Sequence, residues 1–163
     1  NIFIHQMVSI KSLILIADVY KSVSVLRFQD ESRTLSIVSR DFNPLMVYQI
    51  EYVIDNNNLA FLASDAEANL SIFMYQPESR ESCGGQKLIR RADYHLGQKV
   101  NAMFRVACNF RQQFDKRIIA YDNKHLTFFS TLDGGFGFSS LRIFSRIYRV
   151  AFSMVNSFGN ICT

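Results

Sequence analysis

The sequence predicts an all-β fold of antiparallel β-meanders, an incomplete β-propeller of about three blades followed by a C-terminal α-helix. Three observations predict it. A hairpin pattern recurs three times along the chain. The 163 residues are rich in strand formers, with 15 Phe, 7 Tyr and an aromatic content of 13%. The copies stand 47 residues apart (Ser24 to Ser71) and 56 residues apart (Ser71 to Thr127), close to the roughly 40–50 residues of a four-stranded blade.

The copies are Leu13 to Phe28, Leu59 to Tyr75 and Arg117 to Thr131. Each is an apolar run that ends in Asp (Asp18, Asp65, Asp122), a few turn residues, and an apolar–Ser/Thr–apolar triplet. The triplets are Val23-Ser24-Val25, Leu70-Ser71-Ile72 and Leu126-Thr127-Phe128. An Asp carboxylate at a strand end accepts hydrogen bonds from turn N–H groups. A small hydroxyl between two apolar residues gives the two-residue alternation of a half-buried strand.

The other elements follow in order. The opening IFIHQMV reads as a strand, and Thr34 to Arg40 as another after the turn-like QDES. Val47 to Asp55 is a strand before an Asn56-Asn57-Asn58 turn. Gln76 to Gln86 is a loop broken at Gly84-Gly85. Lys87 to Tyr94 and Lys99 to Cys108 are strands flanking a turn at His95 to Gln98, and Asn109 to Lys116 is a second loop. Asp133-Gly134-Gly135 is a tight turn. Leu141, Phe144, Tyr148, Ala151, Phe152 and Val155 stand at helical spacing, which predicts an amphipathic helix over 141–155. The expected domains are therefore a partial propeller at 1–140 and a helix with tail at 141–163. A closed propeller needs about four to eight blades, and an open arc leaves unpaired edges, so further blades are expected outside these residues. The chain also starts at Asn1 and enters a strand directly, as a piece of something longer does.

Composition limits the chemistry. Hydrophobic residues make up 48% of the chain, too many for a disordered segment. No apolar run reaches the roughly 18–20 residues of a membrane-spanning helix, so no membrane association is expected. Cys83, Cys108 and Cys162 are odd in number and widely spaced, which fits free thiols in a reducing compartment better than a disulfide or zinc framework. The three histidines are isolated, and no nucleophile elbow, P-loop or dinucleotide fingerprint is present. An enzyme, a metal site and a cofactor are not expected. Gly135-Phe136-Gly137-Phe138 copies the middle of an RNA-recognition motif. The flanking positions do not match, and a strand separated only by a tight turn precedes it, so it reads as a hairpin.

Charge is uneven. Residues 1–80 carry 6 Lys/Arg and 9 Asp/Glu, and residues 81–163 carry 12 and 5, so a net charge of −3 is followed by +7. The basic half is compatible with an acidic protein or nucleic-acid partner. The candidate contacts for RNA or a partner protein are Arg40, Lys87, Arg90, Arg91 and Lys99. Arg90 and Arg91 are neighbours on a predicted strand and face opposite ways, so one of them at most joins a given patch. Intramolecular ion pairing is the competing use of both.

Three stretches, SRD (Ser39 to Asp41), LIRRADYHLG (Leu88 to Gly97) and TLDGG (Thr131 to Gly135), carry a specific likeness. With the flanking SVSVLRFQDESRTLSIVSRD and NLSIFMYQPESRESCGGQ, they resemble the large subunit of the cleavage and polyadenylation specificity factor over about residues 3–137. That family shares its architecture with the large damaged-DNA-binding subunit and with a subunit of splicing factor 3b. The resemblance implies propellers and a C-terminal helical domain in the complete protein, with this piece as late blades of the last propeller. It also implies a non-catalytic nuclear scaffold for pre-mRNA 3′-end formation, holding WD-repeat and zinc-finger subunits that read the polyadenylation signal. Direct RNA contact, or an adaptor role as in the sister groups, are the alternatives. Tyr148-Arg149 and Asn156 resemble the family's terminal helix, whereas Val150, Ala151 and the SFGNICT tail depart from it.

Overall fold

The computed structural model describes the backbone of residues 2–55, 58–114, 117–144, 147–155 and 161–162, and the side chains of residues 2–54, 59–107 and 125–139. The first meander is β1 (Ile4–Ile10), β2 (Leu13–Asp18), β3 (Ser22–Gln29) and β4 (Thr34–Arg40), an antiparallel four-stranded sheet in chain order. The second is β5 (Val47–Asp55), β6 (Asn58–Asp65), β7 (Asn69–Met74) and β8 (Ile89–His95). The third is β9 (Val100–Phe114), β10 (Arg117–Thr131), β11 (Phe136–Phe144) and β12 (Ile147–Val155), with a short β13 (Ile161–Cys162) on its edge. β5 and β10 pair at Lys124 and Asp55, which joins the second and third meanders into one sheet. β1 lies beside β5, and β5 beside β9, so the first strands of the three meanders line one side together.

The predicted hairpin chemistry holds in the first two meanders. Asp18 Oδ1 accepts the Tyr20 and Lys21 N–H groups at 2.7 and 3.1 Å. Asp65 Oδ1 accepts those of Glu67 and Asn69, both at 2.9 Å. Each turn closes through a residue with positive φ just before or at the start of the next strand, Ser22 (67°) and Ala68 (63°).

The third copy is different. Asp122 lies inside the continuous strand β10, opposite Phe110 of β9, and no hairpin forms there. Asp18 and Val23, like Asp65 and Leu70, are five residues apart, whereas Asp122 and Leu126 are only four apart. The shorter spacing does not reproduce the hairpin of the other two copies, and the strand runs on. The true third turn follows Thr131. Its Oγ1 accepts the Gly135 N–H at 2.9 Å, and Gly134 takes φ 82°. Thr131 (4% exposed) thus does the work of Asp18 and Asp65 (3% each).

Two further expectations are corrected. Asn109 to Phe114 continue β9 instead of forming a loop. Residues 141–144 and 147–155 are strand where a helix was expected: β11 and β12 pair from Phe136↔Val155 to Phe144↔Ile147. Phe, Ile, Tyr and Val dominate both segments, and a ladder already running through β10 offers them cross-strand partners that an isolated helical stripe lacks. The Asn56-Asn57 part of the Asn-rich turn and most of the tail from 156 lie outside the described residues.

The core consists of two seams. Leu15, Ala17, Val23 and Val25 of the first meander pack on Ile50, Phe61, Ala63, Phe73 and Leu88 of the second. Val53, Ala60, Leu62, Leu70, Ile72 and Met74, on the other face of the second meander, pack on Val100, Met103 and Phe129 of the third. The second meander is therefore buried on both faces, which is how successive propeller blades stack. At the rim, the loop after β7 clasps the first meander. The Arg40 N–H donates to the Gln86 carbonyl at 3.0 Å, and the Leu88 N–H donates to the Arg40 carbonyl at 2.9 Å.

Candidate functional site

The five candidate cations fall in three places. Arg40 and Lys87 come together at the clasp, where their backbones form an isolated parallel bridge. The Arg40 guanidinium lies 4.6 Å over the Phe42 ring. Arg90 and Arg91 sit on β8 and point to different neighbours, as alternation requires. Arg90 pairs with Asp93 and donates to Ser71 Oγ at 2.9 Å. Arg91 pairs with Glu81 at 3.1 Å and donates to Gln76 Oε1 at 2.8 Å. Both are thus engaged inside the fold, and both stay partly exposed at the sheet edge. Lys99 is apart from all four, at the entry to β9.

Lys99 is shared by two grooves at the turn end of the meanders. One, of about 410 Å³, is lined by His5, Tyr48, Gln49, Lys99, Asn101 and Leu132. The other, of about 470 Å³, adds Glu67, His95 and Asp133. Each meander contributes from the start of its first strand. His5 Nδ1 lies 2.7 Å from the Tyr48 carbonyl, an acceptor only, so Nδ1 donates its proton there. The His5 and Tyr48 rings meet edge to face at 5.2 Å. Leu132 is 66% exposed at the tip of the β10–β11 turn. The groove offers an ammonium, an imidazole and amides beside the apolar surface of Tyr48, Val100 and Leu132. Among the described residues, no group of three or more His, Cys, Asp or Glu side chains could hold a metal ion.

Below it lies a polar joint between the second and third meanders. Arg105 of β9 reaches His125 Nδ1 at 2.8 Å, donates to the Tyr52 hydroxyl, and lays its guanidinium 3.9 Å over the Tyr52 ring. Glu51, 9% exposed, lies beside them and accepts the Tyr52 N–H at 3.0 Å. Burial raises the Glu51 carboxyl above its ordinary value, opposed by that N–H and by Arg105. Burial, with the Arg105 charge, lowers His125, so the imidazole is neutral and accepts from the guanidinium.

The chain matches the family model described as the CPSF A subunit region over residues 1–162. The chain belongs to the CPSF A subunit family. It is 58% identical over 149 residues, 91% of its length, to the cleavage and polyadenylation specificity factor subunit 1 of Drosophila melanogaster. It is 33% identical over 128 residues (78% of the chain) to the probable subunit 1 of Oryza sativa subsp. japonica, and 33% over 145 residues (83%) to that of Caenorhabditis elegans. The chain spans about a tenth of the length of these relatives.

In this CPSF A segment the stretches that identify the family have structural duties. In SRD, Asp41 is 4% exposed and accepts the Ser22 hydroxyl at 2.7 Å, which ties β4 back to the first turn. LIRRADYHLG is strand β8 with its flanks, and TLDGG is the β10–β11 turn. The Arg105 joint was not anticipated from the sequence. A lone Arg at an inward position of the apolar run NAMFRVAC was its signal, since a cation there needs partners. His125 is half-buried in strand β10.

Proposed function

We propose that this CPSF A segment is a non-catalytic scaffold element of the nuclear machinery for pre-mRNA 3′-end cleavage and polyadenylation. Its part would be to help hold the WD-repeat and zinc-finger subunits that read the polyadenylation signal. The observation that carries the reading is the likeness to factor subunit 1, which covers 91% of the chain at 58% identity. The geometry supports it. Asp18, Asp41, Asp65, Arg90, Arg91 and Arg105 are spent on contacts within the fold, the use expected of a rigid platform. The test is affinity capture of the full-length parent protein carrying this segment from nuclear extract. Co-purification of the WD-repeat and zinc-finger subunits is expected, and recovery of neither refutes the reading. Recovery of a damaged-DNA or splicing complex instead would move the segment to one of the sister groups.

Direct RNA contact is the second reading, favoured by the placement of Lys99 in an open groove. Ultraviolet crosslinking to pre-mRNA should then depend on Lys99. The salt dependence of binding should flatten by roughly 0.7 in log–log slope for one lost phosphate contact. A Lys99→Glu variant with unchanged crosslinking would leave RNA reading to the partner subunits.

A further inference from the structure

The three meanders share a second regularity, and it falls on the groove beside Lys99. In each, the first strand carries one extra residue opposite the turn-capping end of the second strand. His5 is passed over between Ile4↔Asp18 and Gln6↔Ala17. Tyr48 is passed over between Val47↔Asp65 and Gln49↔Ser64. Asn101 is passed over between Val100↔Thr131 and Ala102↔Ser130. Two residues before each bulge a backbone carbonyl accepts an N–H from the turn: Phe3 from Val19, Met46 from Ala66 and Lys99 from Leu132, at 3.0, 3.0 and 2.9 Å. The bulges are therefore equivalent positions of the repeat. A β-bulge breaks the alternation of a strand and re-aims the extra side chain. All three extra side chains line the one groove of about 410 Å³. Its walls come from inside three successive meanders, away from either outer face.

The bulges also hold one another in place. The carbonyl of bulged Tyr48 accepts the His5 Nδ1 proton, and the two rings meet edge to face, so the aromatic wall is fixed before any ligand arrives. Asn101 Oδ1 accepts the Ser130 hydroxyl at 2.7 Å, which leaves both N–H donors of the amide for another partner. The Lys99 ammonium forms no ion pair among the described residues, and the carboxylates of Glu67 and Asp133 line the neighbouring groove instead. The groove thus combines a phenol ring, an amide with two donors and a cation, with no carboxylate among its lining side chains. It complements a flat group that accepts hydrogen bonds at its edge and carries a negative charge beside it. An unpaired nucleotide has that constitution, in its base, its base-edge acceptors and its phosphate. An acidic peptide would engage Lys99 and the amide, but its carboxylates would leave the Tyr48 ring uncovered.

We propose that this groove takes one unpaired nucleotide of an RNA strand, its base against the Tyr48 ring, its edge on the Asn101 amide and its phosphate on Lys99. The inference rests on the reading of direct RNA contact and narrows it from a phosphate contact to the capture of a single-stranded base.

The test uses the full-length parent protein carrying this segment and a short 4-thiouridine oligoribonucleotide. After photocrosslinking, mass spectrometry of the digest locates the adducts within this segment. Adducts are expected on the peptides that bear Tyr48 and Lys99, competed by unlabelled single-stranded oligouridylate and far less by duplex RNA. Tyr48→Leu is expected to lower their yield by roughly fivefold or more, the loss of one stacked base. Asn101→Asp alters an exposed side chain and still accepts the Ser130 hydroxyl, so folding is retained, as circular dichroism would verify. It removes the two donors and is expected to lower the yield likewise. Adducts that Lys99→Glu abolishes but Tyr48→Leu and Asn101→Asp leave unchanged would keep the phosphate contact and overturn the nucleotide site. Equal competition by duplex RNA, or displacement of the RNA by an oligoglutamate peptide at similar concentration, also overturns it. A segment with no adduct at all ends both this inference and the RNA reading beneath it.

Discussion

Truncating Phe61 to alanine tests the seam between the first two meanders. The ring is fully buried, with Leu15, Ala17, Val23 and Val25 on one side and residues of its own sheet on the other. A buried Phe removes about 150–250 Å² from water, which at roughly 25 cal/mol/Å² is about 4–6 kcal/mol. Truncations of this kind cost about 3–5 kcal/mol, less where neighbours collapse into the space. Collapse is restricted here, because the neighbours belong to two separate sheets and neither moves in without straining its own ladder. The expected loss is therefore about 4 kcal/mol, a large share of the about 5–15 kcal/mol of a typical domain. With 163 residues this corresponds to a fall of about 8–16 °C in Tm. The chain has no Trp, so far-ultraviolet circular dichroism in a urea titration is the suitable assay. Tyr20→Ala, at a side chain 62% exposed, is the control, expected within about 0.5 kcal/mol of wild type. A Phe61→Ala loss below about 1 kcal/mol, or equal to the control, would show that the two sheets are not packed as described.

Other predictions follow from single features. Asp65→Ala strips a buried acceptor from the Glu67 and Asn69 N–H groups and is expected to cost about 1–3 kcal/mol, with faster amide exchange in that turn. Gly85→Ala would place a Cβ 3.0 Å from Pro77 Cβ at φ +90°, and is expected to cost about 1–3 kcal/mol and to loosen the clasp amides of Arg40 and Leu88 in hydrogen exchange. The Arg105 joint predicts two opposed pH trends. The raised Glu51 pKa means that the native state keeps a proton the unfolded chain has released, so stability falls as pH rises from 4.5 through the folded value. The lowered His125 pKa does the reverse, and stability falls as pH drops from 6.5 through the folded value. Glu51→Gln should abolish the first loss and His125→Gln the second in urea titrations across that range; unchanged pH profiles would contradict the joint.

Much of the fold was legible because alternation and turn chemistry are local. Strands Thr34–Arg40 and Val47–Asp55 are found at the predicted bounds. The loop at Gln76 to Gln86 and the turn at Gly134 also match, since Gly and Asp residues mark them directly. Local signals failed where one residue type stood in for another or where two periods overlapped. Thr131 caps the Asp133-Gly134-Gly135 turn in the role that the repeat gave to Asp122 at a turn that does not form, because a hydroxyl accepts the same N–H as a carboxylate. At 141–155 the apolar spacing suits a helix, and only pairing with β10 and its neighbours decides for strands. The candidate site was less legible. Alternation separated Arg90 from Arg91, and Arg90 meets Asp93 three residues on, but the partner of Arg91, Glu81, lies in the preceding loop and is set by how that loop folds back. The groove around Lys99 draws on all three meanders and has no sequence signature.

The two-sided burial of β6 and β7 restricts how this stretch changes over time. Phe61, Ala63 and Phe73 answer to the first meander, while Ala60, Leu62, Leu70, Ile72 and Met74 answer to the third. Successive positions are thus held by different neighbours, and neither parity of the strand is free to drift. A change of volume at one position calls for compensation in a segment about 40 residues earlier, and at the next position for compensation in one about 40 residues later. Substitutions tolerated here should therefore come in matched pairs spaced by about one repeat.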